Sequence, residues 1–499
     1  MNNFVKYLVY CVVSLVLAAF VFVSCISEED YIRDKSANLK FSSDTLRFDT
    51  IFTSMGSVTK QIMVYNKENK PIKIDQIRLG GGRNSFYRIN VDGDTNIIIK
   101  DVEIGAKDSM YIFARVTINP NNQNNPLLVS DSIIFSFNNK EQYVQLEAFG
   151  QDAYYHYPKA GNFISIAHQE GAQNGVTVNG YDIQWNNDKP HVVFGVLGVD
   201  SLYTLNITSG TRIHFNSKAS FLIYRDASLN VIGNTQDPVV FEAIRRDGYY
   251  ASLPGQWDYI HYYPGSKNNV LHDAIIKNAT IGLIIDSCVT ADVDIPTVDI
   301  KNVRIENMSA YGILSRGGHI KAGNLLVQNT AKETLALTIG GKYQFVYCTF
   351  ANYWNYESRK TKTVFLQNYY VDFNNNIQLR PIIECNFYNT IIYGSQDEEI
   401  IIDKMEGADL NYAFESSLLK TSILNNQSPF VSNCVFNQDP LFNKPMEGDL
   451  RIQEGSVAIG MANLSWYPFF PYDLAGNDRL SYRTIGALEY AIIPLRKRN

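Results

Sequence analysis

Positive charge is not in excess in this chain: 44 Lys and Arg stand against 50 Asp and Glu, for a net charge of −6 and a pI near 5.7. A protein that neutralises a phosphate backbone needs the opposite balance, so nucleic-acid binding is excluded. Cysteine is scarce, six in 499 residues with no CxxC pair, and the seven histidines are scattered, which excludes a zinc site of the usual spacing. There is no glycine loop of the phosphate-cradling kind, no nucleophile elbow and no metalloprotease HExxH, so the common nucleotide, serine-hydrolase and zinc-protease chemistries have no foothold. Methionine is also rare, with eight residues, whereas Tyr (32) and Phe (27) are abundant and Asn recurs throughout. That mixture favours strands joined by Asn-bearing turns, an all-β chain. With 45% hydrophobic and only 19% charged residues, it can build a sizeable core and is not disordered.

At the N-terminus, Lys6 precedes an apolar run from Leu8 to Val23 that stops at Ser24-Cys25. This is the layout of a signal peptide over residues 1–24; the run is barely long enough to span a bilayer and no Lys/Arg cluster follows it, which leaves a single-span anchor as the alternative. Phe22-Val23-Ser24-Cys25 resembles the lipobox of bacterial lipoproteins, with Phe22 in place of the usual Leu, and the resemblance implies that Cys25 is the lipidated first residue of the mature chain. Ser27, Glu28, Glu29 and Asp30 resemble the acidic export signal of Bacteroidetes-type surface lipoproteins, within a tether over 25–36. The resemblance implies an outer-membrane location facing the cell exterior; a periplasm-facing anchor with a plain acidic leash is the alternative.

Between about 37 and 152 the sequence reads as seven short strands in about 110 residues, the arithmetic of a β-sandwich. They are Thr45 to Phe52, Gln61 to Tyr65, Ile72 to Leu79, Phe86 to Val91, Tyr111 to Ile118, Ser132 to Phe137 and Tyr143 to Ala148. Alternation such as Ile133, Phe135, Phe137 and Val144, Leu146, Ala148 gives each strand one core face. Leu46-Arg47-Phe48-Asp49-Thr50, Val64-Tyr65-Asn66 and Leu146-Glu147-Ala148-Phe149-Gly150 resemble an immunoglobulin-like module of the Hydin type, which implies a spacer or docking domain without chemistry of its own.

From about 160 to 490 the chain has an internal period. Ile275-Ile276-Lys277-Asn278, Arg304-Ile305-Glu306-Asn307, Leu326-Val327-Gln328-Asn329, Thr349-Phe350-Ala351-Asn352 and Asn386-Phe387-Tyr388-Asn389 align on the final Asn, with steps of 29, 22, 23 and 37, and Cys434-Val435-Phe436-Asn437 is a shortened copy. An apolar strand follows each Asn, as in Gly282-Leu283-Ile284-Ile285 and Gly312-Ile313-Leu314. A coil of about 22 residues with two or three short strands is one turn of a right-handed parallel β-helix. Asn tolerates the left-handed conformation that a coil corner needs, so all these Asn are expected in one structural column. Leu205 to Phe215, Ala227 to Asn234 and Pro254-Gly255-Gln256-Trp257 resemble the opening coils of bacterial, pectate-lyase-like β-helix proteins. Asp439-Pro440-Leu441-Phe442, Gly455 to Gly460, Asp473 to Asn477 and Ile485 to Tyr490 resemble their terminal element. The resemblance implies a fold and not an activity, since this architecture carries lyases, hydrolases, adhesins and inert scaffolds alike.

Cys288, Cys348, Cys385 and Cys434 remain after the lipid site. Three share a Cys-X-Phe context on the repeat, so they are expected as small apolar core groups, with a bridge between neighbouring coils second. A lyase on this fold needs carboxylates, with or without calcium, and an Arg or Lys that abstracts a proton beside a uronate. The candidate set is Asp286, Asp292, Asp294, Asp299, Arg304, Arg316, His319 and Lys321. Against it, 292–296 reads as a loop excursion, and charges on a solenoid's exterior are the default. Aromatic residues give the better hint: Tyr262, Tyr263, Tyr353, Trp354 and Trp466 belong to clusters too rich for a narrow interior, so rings are expected outside, where they stack on sugars or anchor partners. The resulting expectation is a non-catalytic surface lipoprotein without cofactor, presenting a β-helix face to a glycan or to an outer-membrane β-barrel complex. A polysaccharide lyase is the alternative.

Overall fold

The computed structural model describes residues 31–53, 55–119, 127–158, 161–286 and 295–492. Cys25, the stretch Ser27 to Asp30, Cys288, Asp292 and Asp294 lie outside the described residues. Among the described residues the regular structure is strand, with a few short 3-10 turns. The chain divides into two compact units, Met1–Asp152 and Ala153–Asn499.

In the first unit two sheets share one apolar core. Four antiparallel strands run in the order Leu39–Phe41, Lys60–Asn66, Ser109–Val116, Tyr87–Val91. Five others run in the order Thr45–Phe52, Lys140–Gln151, Leu127–Phe137, Ile72–Leu79, Ile98–Ile104, with the first pair parallel and the rest antiparallel. Ile62, Val64 and Ile112 from one sheet meet Ile72, Ile133, Phe135 and Leu146 from the other, because alternate residues of each strand point to the same side. Strand Ile98–Ile104 escapes the sequence pattern for a visible reason: its centre is Lys100-Asp101-Val102-Glu103, and Asp101 sits at φ +55.

The second unit is a parallel-sheet solenoid. One sheet stacks nine parallel strands, from Phe163–Ser165 through Val196–Val199, Ser220–Ile223, Ile260–Tyr262, Leu283–Asp286, Ile313–Arg316, Leu335–Thr338 and Val364–Gln367 to Ile400–Asp403. The other holds nineteen strands and is bent along its length. Alternate residues of every rung enter a continuous dry core, in which Phe345, Phe387 and Phe414 stack at centroid spacings of 5.0 and 4.9 Å. The ladder begins before the repeat is legible: Tyr154–His156 already pairs in parallel with His191–Val193, and an antiparallel hairpin, Val176–Asn179 with Asp182–Trp185, joins it at this end.

Corners are made by asparagine, in two columns where the sequence suggests one. Asn278, Asn307 and Asn329 stand in register with φ of +66, +62 and +53, and Asn352 follows them in line. Their side chains form a ladder, Asn329 Nδ2 donating to Asn307 Oδ1 at 2.5 Å and Asn307 Nδ2 to Asn278 Oδ1 at 3.4 Å. Asn389 does not belong to this column. Val346 pairs with Tyr388, so Asn389 lines up with Tyr347 and with the other corner, occupied by Asp273, Asn302 and Asn324. All of these also have positive φ, and Asn324 donates to Asn302 at 2.8 Å. Asn437 is likewise displaced by one position, continuing the row of Lys420. The local pattern of apolar residue, spacer and Asn is the same at both corners, which is why alignment by sequence merged them.

Between these corners and the nine-stranded sheet, neighbouring backbones approach closely at Gly282 and Gly312. A Cβ on Gly312 would lie 2.5 Å from the Thr334 carbonyl oxygen, and one on Gly282 equally close to the Gly312 oxygen. Gly312→Val is therefore expected to destabilise the solenoid by about 1–3 kcal/mol through overpacking, read as a lowered urea midpoint; an unchanged midpoint would refute the close approach. Cys348, Cys385 and Cys434 are free and buried, and burial pushes the Cys348 thiol up to about 12, as for an apolar filler.

The C-terminal segment does not extend the coils. It lies along their flank, where Phe442, Leu450, Ile452, Ala458 and Ile485 cover the outward residues Leu326, Ala351, Ile391 and Leu418. Arg479, fully buried, fastens it by donating to Asn324 Oδ1 at 2.6 Å and to the Gly486 carbonyl at 3.0 Å, with its guanidinium 3.8 Å from the Tyr347 ring centre.

Candidate functional site: a ring and ion-pair column

Strand alternation decides which of the expected residues reach solvent. In the nine-stranded sheet Phe221, Ile223, Ile260, Tyr262, Leu283, Ile285 and Ile313 enter the core. The residues between them face out. Tyr262 is therefore a core residue, fully buried, and not a binding residue as its Tyr-Tyr context suggested. Tyr263 takes the opposite parity.

The register runs Ile223, Tyr262, Ile285, Ser315, Leu337 from rung to rung, so the next position along each strand forms the outward column Tyr224, Tyr263, Asp286, Arg316, Thr338. Asp200 stands in the same row one rung before Tyr224. Phe163, from the row of Val196 and Ser220, meets Tyr224 at 5.9 Å, Tyr224 meets Tyr263 at 5.2 Å, and His261, from the next outward row, stacks on Tyr263 at 4.2 Å. Tyr259 closes on His261 edge-on at 5.9 Å. Gly198 makes room for this: a Cβ there would lie 2.7 Å from the Phe163 ring and 3.0 Å from that of Tyr224.

An ion pair continues the column. Asp286 accepts from Arg316 Nε and Nη2, both at 2.5 Å, and from His261 Nε2 at 2.9 Å. Burial works against its charge, but hydrogen bonds from His261 and Arg316 outweigh that and hold its carboxyl below the usual range. A carboxylate so saturated is a poor proton acceptor, and a guanidinium bound through two nitrogens is a poor base.

The remaining lyase candidates do not converge here. Arg304 faces out on the bent sheet between Ile275 and Leu326. Lys321 pairs in register with Asp299, whose carboxylate takes a 2.7 Å hydrogen bond from His272, on another part of that sheet. His319 is buried, its backbone N–H donating to Thr297 Oγ1. Neighbours in sequence were thus split among different faces by the coil. Among the described residues no three His, Cys, Asp or Glu side chains gather as a metal would require.

The other aromatic candidates serve packing. Trp354 is buried beside Tyr356, 4.9 Å between rings, and Tyr353 meets Phe442 of the flanking segment edge-on at 6.3 Å. Trp466 lies on Tyr388 at 4.7 Å. Phe163, Tyr224 and His261 were missed by the sequence reading. Their common signal is register across rungs, which requires the coil alignment before it can be read.

No protein-family model matches the chain, and no curated protein does. Among solved structures, a protein of unknown function from Porphyromonas gingivalis W83 is similar over 25% of this chain and 51% of that one, at 12% identity and a TM-score of 0.18. A family 123 glycoside hydrolase from Clostridium perfringens is similar over 24% and 28%, at 8% identity and a TM-score of 0.17. The catalytic unit of a GH87 alpha-1,3-glucanase from Streptomyces thermodiastaticus is similar over 76% of this chain and 89% of that one, at 9% identity and a TM-score of 0.22. The chain spans about half the length of the first of these and less than a third of the second. Likenesses this weak carry no argument about activity.

Proposed function

We propose that this is a lipid-anchored outer-membrane protein of a Bacteroidetes-type bacterium, displayed at the cell surface through Cys25, whose solenoid binds a glycan without cleaving it. In this reading the first unit is an immunoglobulin-like spacer of the Hydin type and the solenoid is a right-handed parallel β-helix. The observation that carries the binding role is the outward column in which Tyr224 and Tyr263, with Phe163 leaning on Tyr224 from a neighbouring row, run into the Asp286–Arg316 pair. Flat rings offer apolar faces to sugar rings, while the pair offers an acceptor and donors to hydroxyls at fixed positions. Catalysis is disfavoured because the acid and the cation of this site are already bound to each other.

Tyr263→Ala is expected to weaken glycan binding about tenfold, the loss of roughly 1–1.5 kcal/mol of ring stacking, measured by affinity electrophoresis against a polysaccharide panel. Binding untouched by this substitution would remove the platform. If the same incubations yield unsaturated sugar products, the protein is a polysaccharide lyase. If no polysaccharide is retained and a β-barrel protein co-purifies from membranes in a Tyr263-dependent manner, the partner is that complex.

A further inference from the structure

Resting on the glycan-binding reading, we infer that the ligand is an electrically neutral, extended glycan that lies parallel to the solenoid axis. Two independent features of the column lead there. The first is spacing. Tyr224 and Tyr263 occupy successive rungs of one sheet, and strands in a sheet follow one another at about 4.8 Å; their ring centres are 5.2 Å apart, while Phe163, two rungs earlier and in another row, leans in to 5.9 Å from Tyr224. One sugar ring of an extended chain advances by about one such rung, so consecutive sugars meet consecutive side chains only when the chain runs along the axis. A chain crossing the sheet meets a single row.

The second feature is charge. An acidic polymer needs cations free to receive its carboxylates, and the cations adjoining the rings are already engaged. Arg316 holds Asp286 and Lys267 Nζ lies 2.8 Å from Asp226, while the exposed Arg225, its Nε 3.8 Å from the same Asp226, is balanced by Asp200, which stands in the row of Tyr224 one rung earlier. Seating a uronate there requires breaking one of these pairs or leaving the sugar's charge unmatched. Hydroxyls have no such requirement, because they donate to the outer lone pairs of a paired carboxylate and accept from unused guanidinium N–H groups.

The test uses the full chain in a sugar-free detergent, with dextran and mixed-linkage β-glucan as neutral probes and polygalacturonate and heparin as acidic ones, at low and high sodium chloride. A neutral polymer is expected to be retained equally at both salt levels, with retention falling about tenfold in Tyr224→Ala and in Tyr263→Ala. Retention of only the acidic polymers, falling with salt, overturns the neutral assignment and leaves glycan binding standing. Retention of none of the four overturns the binding reading itself, and this inference with it. Asp286→Asn supplies the converse: releasing Arg316 from its partner is expected to add salt-sensitive retention of polygalacturonate. A variant that stays folded by circular dichroism yet gains none would show that pairing is not what excludes acidic chains.

Discussion

The solenoid is expected to lose stability steeply as pH falls from about 6.5 toward 4, because its first coils bury neutral histidines. His191 Nε2 donates to the Asn186 carbonyl at 2.7 Å, so its Nδ1 accepts from His156 Nε2 at 2.9 Å, and both rings stack on Trp185. Neither ring can take a proton without losing that arrangement or placing a charge in the core. Burial pushes His191 down to about 4 from the ordinary 6.5, and drives His156 and His214 well below it as well. The sign follows from linkage. Between the two pKa values the unfolded chain holds more protons than the folded one, so stability is complete above pH 6.5 and drains as pH falls through the window. For His191 alone the loss by pH 4 is about 3 kcal/mol.

Buried carboxyls act in the opposite direction. Desolvation raises Glu489 from the ordinary 4.5 to about 7 and also raises Glu333, so each binds a proton on folding across part of the same window. Three histidines against two carboxyls leave a net loss of about one proton's worth in the middle of the window, about 1.4 kcal/mol per pH unit there. Urea midpoints at pH 7 and pH 5 read this directly, with a lower midpoint expected at pH 5. His191→Asn should shallow the slope. A midpoint that rises on acidification would mean that the carboxyls dominate and that the histidines are not neutral in the fold.

Arg359→Leu is expected to cost about 3–5 kcal/mol, the price of stranding a buried charge. Glu399 is fully buried and accepts from Arg359 at 2.6 and 2.9 Å, from Thr363 Oγ1 at 2.7 Å and from the Gln396 N–H at 2.8 Å. Arg359 comes from the segment after Asn352 and Glu399 from the turn before strand Ile400–Asp403, so the pair ties a long excursion to the last rung of the nine-stranded sheet. Removing both charges together, as Arg359→Leu with Glu399→Leu, should recover much of the loss, since a buried pair contributes little beyond apolar packing of similar volume. A single substitution as mild as the double one would mean that Glu399 is reached by water.

The fold was legible in proportion to how local its signals are. Thr45–Phe52 and Ile72–Leu79 lie where alternation puts them, because a half-buried strand writes its period into its own residues. Asn278, Asn307 and Asn329 mark coil corners for the same reason, since the left-handed turn is a property of one residue. Asn389 misled because two corners of the same coil impose identical local demands, and only the pairing of Val346 with Tyr388 separates them. In the site, Asp286 and Arg316 were both singled out, but together with Arg304, His319 and Lys321, from which the coil separates them.

By itself, then, the order of residues determined the all-β character, the coil repeat and the lack of a net positive charge, because each depends on composition or on spacing within a few residues. Tertiary structure decided which aromatic rings face solvent, that Tyr263 stands in line with Asp286 and Arg316, and that the segment from Phe442 to Leu488 lies along the flank. These are relations between rungs more than twenty residues apart. Only the winding of the chain sets the register between such rungs, and a shift of one residue would turn every side chain to the opposite face.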